Sequence, residues 1–150
     1  TMPFQYTTLS FQAFTPEQLY AYLQLRSEVF VVEQNCVYQD LDNLDQDSLH
    51  VLVYDAQLLI ACARIVAANE KYPNISIGRV IVAATHRKQD LGHALMKYCI
   101  ETIEARFGQQ KIVLSAQAHL QNFYKKHNFA PQGEIYLEDG IPHVYMERNK

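Results

Sequence analysis

Hydrophobic residues recur along the chain at two spacings, every second residue in some segments and every three or four residues in others, which are the periodicities of strands and helices. The first spacing and short apolar runs predict strands at residues 4–14, 49–54, 57–67, 76–83, 111–116, 134–138 and 143–147. The second predicts helices at residues 16–30, 91–107 and 119–127. This order of strands and helices, β-α-β-β-β-α-β-α-β-β, predicts one α/β (α+β) domain over residues 1–150, a mixed sheet with helices on both faces.

The segment from residue 76 to residue 107 is the centre of this pattern. Residues 76–83 are rich in Val and Ile and are continuously apolar after Arg79, as in a strand buried on both faces. After a polar turn, apolar side chains return at helical spacing from Leu91 and continue to Phe107, and Gly108 follows as a helix stop. The chain therefore predicts a strand, a turn and a helix in direct succession.

The turn between this strand and this helix is the first candidate for chemistry. It brings Arg87 and Lys88 to a helix start, where backbone N–H groups without intrahelical partners favour anions, phosphate above all. Gly92 has no side chain, so a ligand could approach the backbone of the first helical turn. Because a glycine and two basic residues are common at helix starts, an ordinary capped helix is the alternative interpretation.

The order of residues around the turn resembles a family motif. The run RVIV at residues 79–82 and the turn R-x-x-D-L-G-x-A-L-M at residues 87–96 are similar to the acyl-CoA-binding motif of the GNAT superfamily of N-acyltransferases, R-x-x-G-x-G or R-x-x-G-x-A. Asp90 stands at the middle glycine of the motif, and Lys88 stands where a second glycine is frequent. An Asp beside a pyrophosphate is repulsive unless its side chain turns back to cap the helix, a position for which Asp is well suited.

Three further segments resemble the ElaA-like branch of that superfamily, so the resemblance covers nearly the whole chain. They are LYAYLQLRSEVFVVEQNCVYQDLDNLD, AQAHLQNFYKKHNF and EDGIPHVYM. The resemblance implies a GNAT-type mixed sheet that splays between the central strand and the next strand. It also implies acetyl-CoA or another acyl-CoA as the acyl donor and an amine of unspecified identity as the acceptor.

In the GNAT fold the pantetheine arm of the coenzyme lies in the splayed gap and pairs with the backbone of the central strand, here residues 80–82. Residues 115–117 form the other side of the gap, and Gln117 stands where the family often has Asn, with Asn122 as an alternative amide. The coenzyme site that the resemblance implies comprises Val80, Ile81, Val82, Arg87, Lys88, Gln89, Asp90, Leu91, Gly92, His93, Gln117 and Asn122.

The candidate catalytic residues are Tyr124, His143 and Glu33. The resemblance implies that Tyr124, in the short helix, protonates the departing coenzyme thiolate. An amine with a pKa of about 10.4 is neutral in only about one molecule in ~10³ at pH 7, so a proton acceptor is needed. His143 and Glu33 are the candidates for this base, with His119 third. A structural role for each of these residues is the alternative.

Residues 33–47 form a long acidic and aromatic segment with four aspartates, Asp40, Asp42, Asp45 and Asp47. Their spacing lacks the glycine and the terminal Glu of an EF-hand loop, so it does not predict a calcium site. The favoured interpretation is a solvated acidic loop. In the functional alternative the loop forms a wall of the acceptor site and attracts a cationic amine.

Composition narrows the classes of function. A net charge of −3 without a basic block argues against a nucleic-acid-binding protein, and no apolar run approaches the roughly 20 residues of a transmembrane helix. The amino-terminal residues lack the pattern of a signal peptide. Cys36, Cys62 and Cys99 are scattered, which predicts reduced thiols in the cytoplasm and neither a disulfide framework nor a metal site. Cys36, in a polar segment, is the candidate for a covalent role.

Two alternatives to a direct N-acetyltransferase stay open. Asp90 in the phosphate-binding turn would suit a coenzyme A-binding module without catalysis, which would act as a sensor or a regulatory domain. The RSEVF segment resembles acyl-homoserine-lactone synthases, which share the fold and use long acyl thioesters. The sequence leaves the oligomeric state open, with a homodimer among the alternatives.

Overall fold

Seven strands form one sheet in a computed structural model that describes residues 4–150. The strands are β1 (Gln5–Ser10), β2 (Leu49–Asp55), β3 (Leu58–Val66), β4 (Ile75–Val82), β5 (Ile112–Gln117), β6 (Ala130–Glu138) and β7 (Ile141–Arg148). The α-helices are α1 (Pro16–Arg26), α2 (Leu91–Phe107) and α3 (Gln121–Lys125). The element order predicted from the sequence is confirmed.

The strands lie in the order β1-β2-β3-β4-β5-β7-β6. Neighbouring strands are antiparallel except β4 and β5, which run parallel with α2 as their crossover. The predicted mixed sheet is therefore confirmed, and its one parallel pair lies at the predicted strand, turn and helix.

The sheet is covered on both faces because successive side chains of a strand point to opposite sides. In β2, Val51 and Val53 belong to the core that α2 and α3 cover, whereas Leu52 between them belongs to the core that α1 covers. In β3, Ala61 and Cys62 divide between the two cores in the same way. This confirms the prediction of helices on both faces.

Helix α1 begins at a capping box. The Thr15 hydroxyl accepts a hydrogen bond from the Gln18 backbone N–H at 3.1 Å, and the Gln18 side chain accepts one from the Thr15 N–H at 2.9 Å. The helix then widens into a π-helical segment, Ser27–Glu33. The helical conformation therefore continues three residues beyond the predicted end at residue 30, and this wide turn leads the chain into the acidic segment.

Two predicted strand boundaries were wrong. The first strand ends at Ser10, because Phe11–Ala13 forms a 3-10 turn ahead of the helix. The strand predicted at residues 134–138 begins at Ala130 and includes Pro131, which an edge strand tolerates because one side of its backbone has no ladder partner. Gly133, with φ +80°, lies where the register between β6 and β7 shifts, so it forms a bulge and does not end the strand.

Within residues 4–150, the helices all fall short of the length and apolar character that crossing a bilayer requires. The prediction about a signal peptide concerns in part residues 1–3, which lie outside the described residues.

Candidate active site

Strands β4 and β5 separate after two residue pairs, Ile75 with Ile112 and Ser76 with Val113. Both strands continue beyond these pairs, to Val82 and Gln117. The later residues of β4 therefore present one backbone edge to a gap in place of a neighbouring strand. This is the splay that the family resemblance implies.

A β-bulge in β4 lies beside this gap. Cys62 of β3 is opposite Ile81 and Arg64 is opposite Gly78, so a two-residue step in β3 faces a three-residue step in β4. Arg79 is the residue within the bulge, with a left-handed φ of +50° that is costly for a non-glycine residue. The bulge bends β4 at the point where it has already left β5.

A cleft opens along the gap and encloses about 1110 Å³, including the part open to solvent. Four predicted site residues lie in its walls: Val80, Gln117, Tyr124 and His143. Other residues that line the cleft were not predicted as site residues, and the ones used below are Lys71, Tyr72, Glu138 and Ile141. The fold thus brings the candidate acid Tyr124 and the candidate base His143 into one cavity.

His143 lies on β7 opposite Gln117 of β5, and its side chain is only 10% exposed. Its Nδ1 is 2.7 Å from the carbonyl oxygen of Ile141. A carbonyl oxygen can only accept, so Nδ1 carries the proton and Nε2 is the proton-accepting nitrogen of the neutral ring. The geometry leaves His143 with a basic nitrogen in the cleft.

The carboxylate of Glu138 lies beside that nitrogen, with Oε2 3.5 Å from Nε2 of His143. Glu138 was not among the predicted site residues, although the pairing of the last two strands indicates its position. Asp139 and Gly140, a residue pair typical of hairpin turns, connect β6 to β7. In the register of this hairpin, Glu138 is opposite Ile141 and Tyr136 is opposite His143. Alternation then places Glu138 and His143 on the same face.

Tyr124 is 8% exposed and lies between the edges of Phe123 and Phe129. It is one of the residues that line the cleft. Burial raises the pKa of Tyr124 to about 12, with a smaller contribution from Cys99. The residue is therefore a protonated hydrogen-bond donor at neutral pH.

The acidic segment is not solvated, so the favoured interpretation of it was wrong. Asp40, Asp42 and Asp45 turn inward onto three arginines. The contacts are Arg26 with Asp40 at 2.9 Å and Asp45 at 2.7 Å, Arg64 with Asp42 at 2.8 Å and Asp45 at 3.0 Å, and Arg79 with Asp40 at 2.7 Å. Three cations balance three anions, so these carboxylates do not supply net charge that would attract an amine.

The pKa values of these aspartates follow from the arginines. Burial alone would raise the pKa of Asp42, but the hydrogen bonds and the charge of Arg64 outweigh it and lower the pKa to about 2. The pKa of Asp45 is also lowered, because Arg26 and Arg64 outweigh its burial. The segment does contribute to the cleft, since Cys36, Tyr38 and Leu44 lie in its walls.

In the predicted phosphate-binding turn, two residues that are not glycine adopt backbone conformations that favour glycine. Lys88 has φ +68° and Asp90 has φ +56°, a region that glycine occupies freely. The two residues stand at the positions where the family motif has glycine. The Asp90 side chain does not cap α2, because it makes no cap hydrogen bond; its carbonyl oxygen accepts from the Ala94 N–H, at 3.1 Å.

Arg87 and Glu33 contact one another. Arg87 Nη2 donates to Glu33 Oε2 at 2.7 Å, and Arg87 Nε donates to the Val82 carbonyl oxygen at 3.0 Å. Neither Arg87 nor Glu33 lies in the walls of the cleft. Glu33 is thus the partner of a cation at the end of β4, and it lies outside the cleft walls that contain Tyr124 and His143.

The other predicted coenzyme residues divide between the core and the helix start. Ile81 and Leu91 are buried core residues, so only their backbone is available to a ligand, and Lys88, Gln89 and Asn122 are exposed outside the cleft walls. His119, the third candidate for the base, is also exposed outside the cleft walls. A Cβ on Gly92 would lie 3.2 Å from a ring carbon of Phe123, so packing also favours glycine there. Nδ1 of His93 is 2.9 Å from Nε2 of His127, and the His93 ring stacks on the Phe123 ring. These two contacts join the start of α2 to the region of α3.

Cys36 donates a weak hydrogen bond to the Asp139 carbonyl oxygen at 3.4 Å and closes the acidic segment against the β6–β7 turn. All three cysteines are free. Among residues 4–150, no group of three or more His, Cys, Asp or Glu side chains is placed to hold a metal ion.

Comparisons with known proteins agree with this geometry. A sequence profile described as an acetyltransferase (GNAT) domain matches residues 10–150. The chain is 47% identical over 133 residues to protein ElaA of Escherichia coli strain K12, covering 87% of each chain. The crystal structure of Escherichia coli ElaA matches with a TM-score of 0.92 and 42% identity, covering 98% of this chain and 100% of that one.

Two other solved structures are also similar. An acyl-CoA N-acyltransferase from Pseudomonas aeruginosa matches with a TM-score of 0.92 and 40% identity, over 97% of this chain and 99% of that one. A CoA-dependent acyl-homoserine lactone synthase, BjaI, matches with a TM-score of 0.82 over 98% of this chain and 83% of that one. At 14% identity, the likeness to BjaI shows the fold alone.

Proposed function

The chain belongs to the GNAT acetyltransferase family and is an acyl-CoA N-acyltransferase, and from this premise we propose that it transfers an acetyl group from acetyl-CoA directly to the amine of a small molecule or peptide. The observation that carries the proposal is the shared cavity of His143 and Tyr124 in the gap between β4 and β5. One residue is suited to accept the proton of the amine, and the other is suited to stabilise the departing sulfur.

The residues present fit an acyl-CoA. The backbone edge of β4 after Ser76 has no partner strand and can pair with the amide groups of a pantetheine arm, as one strand pairs with another. The α2 start offers unpaired N–H groups next to two residues in left-handed conformations, which is the main-chain form of anion sites. Acetyl-CoA supplies the acyl group as an activated thioester.

His143 is the proposed base. Nε2 accepts a proton from the acceptor ammonium, and the neutral amine nitrogen then forms a bond to the carbonyl carbon as the bond from that carbon to sulfur breaks. The hydrogen bond from Nδ1 to Ile141 holds the ring in the tautomer this step needs. A proton acceptor in the correct position contributes about 10²–10⁴ in rate.

Tyr124 is proposed to act by hydrogen bonding to the departing sulfur. A pKa of about 12 for Tyr124 lies above the roughly 8.5 of an ordinary thiol, so complete proton transfer to the thiolate would cost about 5 kcal/mol. Donation of a hydrogen bond to the developing negative charge carries no such cost. As the amide forms, its nitrogen loses a second proton; one of the two protons lost from nitrogen completes the thiol, and the other passes to solvent.

We further propose a cytoplasmic location, supported by the three free cysteines, because reduced and scattered thiols are typical of that compartment. Acetyl as the transferred group is the simplest expectation from the family. A comparison of acetyl-CoA with octanoyl-CoA as donors tests the acyl-chain length, since the lactone-synthase alternative predicts a preference for the longer chain.

The proposed function is tested by free-thiol release from acetyl-CoA in the presence of a broad panel of amines. We expect amine-dependent release that Tyr124→Phe and His143→Ala each reduce about 10²-fold. Tight binding of coenzyme A with no thiol release for any amine would contradict the proposal and favour a non-catalytic coenzyme-binding module. Calorimetry with coenzyme A separates that module from a domain without a ligand.

A further inference from the structure

The carboxylate of Glu138 contacts two nitrogen groups in the cleft. Its Oε1 lies 3.6 Å from Nζ of Lys71, and its Oε2 lies 3.5 Å from Nε2 of His143. Lys71 comes from the loop between β3 and β4, and the other two residues come from the β6–β7 hairpin. The ammonium of Lys71 and the ring of the proposed base therefore lie beside the same carboxylate, each next to a different oxygen atom.

The ammonium of Lys71 has an aromatic contact as well. Nζ is 5.2 Å from the ring centroid of Tyr72, within the distance of a cation–π interaction. Tyr72 in turn packs on Tyr145, with ring centroids 5.6 Å apart, which holds the ring in place against the sheet. A carboxylate and an aromatic face together form a site for a primary ammonium group.

Lys71 is bound more weakly by its carboxylate partner than the two arginines that also line the cleft are bound by theirs. Its side chain is 60% exposed and that of Glu138 is 34% exposed, so the ion pair exchanges readily with solvent and solutes. Arg64 and Arg79 also line the cleft, but buried or half-buried aspartates bind both of them. A ligand can therefore displace Lys71 without breaking the arginine network.

We propose that Glu138 and the Tyr72 ring form the ammonium subsite of the acceptor and that Lys71 occupies this subsite in the free protein. The inference rests on the proposed function and narrows the acceptor to a primary alkylammonium, a flexible alkyl chain with a terminal ammonium like that of Lys71 itself. In this subsite the acceptor lies on the same carboxylate as His143 Nε2, the group that removes its proton. Lys71 is then a tethered competitor of the acceptor.

Two substitutions should change the KM for an alkylamine in opposite directions. Glu138→Gln removes the charge that binds the ammonium, and we expect it to raise the KM for butylamine about tenfold. Lys71→Met removes the competitor and should lower that KM about two- to fivefold. Neither variant should change the KM for aniline, which is uncharged at pH 7. If the two residues merely stabilised the loop as an ion pair, both substitutions would change KM in the same direction.

The chain offers a matched control in Lys97 and Glu101, an exposed ion pair on α2 at 3.9 Å. Lys97→Met and Glu101→Gln should leave the KM for both amines unchanged. Equal or parallel effects of Lys71→Met and Glu138→Gln, or transfer to aniline in preference to butylamine, would overturn the ammonium subsite while the transferase function stands.

A binding measurement separates this inference from the proposed function. In carbon-detected NMR of the full chain without coenzyme, butylammonium chloride should shift the Cε signal of Lys71, assigned from its loss in Lys71→Met, and leave that of Lys97 in place. If no amine releases thiol but butylammonium still displaces Lys71, the subsite stands and the transferase proposal fails. If butylammonium leaves the Lys71 signal unchanged up to saturating concentrations, the subsite is overturned.

Discussion

Arg79, which lines the cleft, binds Asp40 of the acidic segment. Arg79 Nε donates to Asp40 Oδ1 at 2.7 Å, and Arg79 Nη2 donates to the Asp40 carbonyl oxygen at 2.9 Å. Arg79 is also the bulge residue of β4, so the distortion that accompanies the splay directs its guanidinium onto the acidic segment. One residue thus couples the open edge of β4 to the acidic segment, part of which lines the cleft.

The first prediction separates the side-chain and backbone contributions of Arg79. Arg79→Ala removes the ion pair and keeps a Cβ at φ +50°, whereas Arg79→Gly removes the ion pair and relieves the strain. We expect both variants to be less stable than the wild type, with the glycine variant about 1 kcal/mol more stable than the alanine variant. Urea denaturation measures this difference. An alanine variant as stable as the glycine variant would show that the left-handed conformation costs nothing here.

The second prediction concerns the pH dependence of stability. The pKa of Asp42 is lowered to about 2 in the folded protein, against about 3.9 in an unfolded chain, so the unfolded state binds the proton first as the pH falls. The contribution of Asp42 is therefore fully present above about pH 4 and is lost towards pH 2, a loss of roughly 2 kcal/mol. Asp45 acts in the same direction. Urea midpoints measured between pH 5 and pH 2.5 test this.

The control for this measurement is Asp47, which is exposed and lies two residues beyond Asp45. Asp47→Asn should leave the pH dependence as it is in the wild type, whereas Asp42→Asn should flatten it. An unchanged pH profile in Asp42→Asn would mean that the ion pair with Arg64 does not persist in solution.

The fold could be predicted from the sequence because each element follows from local spacing. One continuous segment contains the strand at residues 76–83, the turn and the helix from Leu91. Its hydrophobic periodicity, together with the turn that resembles the acyl-CoA-binding motif, predicts these elements directly. The predicted helix at residues 16–30 covers only the first part of the π-helical segment Ser27–Glu33. The apolar spacing did not reveal the wider turn, because over so few residues a π-helical turn and an α-helical turn have similar spacing.

The site was predicted less completely because its contacts join distant parts of the chain. Asp40 meets Arg79 across 39 positions and Glu33 meets Arg87 across 54 positions, so no local pattern could show that these carboxylates are paired. Tyr124 could be proposed because the family resemblance places a tyrosine in the short helix, and His143 could be proposed because the reaction needs a proton acceptor. Glu138 required the register of the hairpin, which the turn at residues 139–140 supplies only once the two strands are known to pair.

The third prediction concerns Tyr124. Tyr124→Phe keeps the ring between its aromatic neighbours and removes only the hydroxyl, so we expect kcat to fall about 10²-fold while the KM for acetyl-CoA stays nearly constant. Tyr98→Phe is the control, since the Tyr98 hydroxyl bonds to Thr8, away from the cleft. A loss of the same size in both variants would indicate destabilisation, which thermal unfolding of each variant would reveal.

The last prediction concerns Asp90, whose carboxylate stands where a coenzyme pyrophosphate is expected and whose backbone is left-handed. Asn tolerates this conformation and removes the charge, and Gly removes the charge and the strain. Both Asp90→Asn and Asp90→Gly should tighten coenzyme A binding about two- to fivefold in calorimetry, and the gain should shrink as ionic strength rises because salt screens the repulsion. Lys88→Gly also relieves the strain of a left-handed residue in this turn, but it removes a positive charge near the expected pyrophosphate. We therefore expect Lys88→Gly to weaken coenzyme A binding. If Asp90→Asn and Asp90→Gly both weaken binding instead, the carboxylate holds the turn in shape and the pyrophosphate does not lie against it.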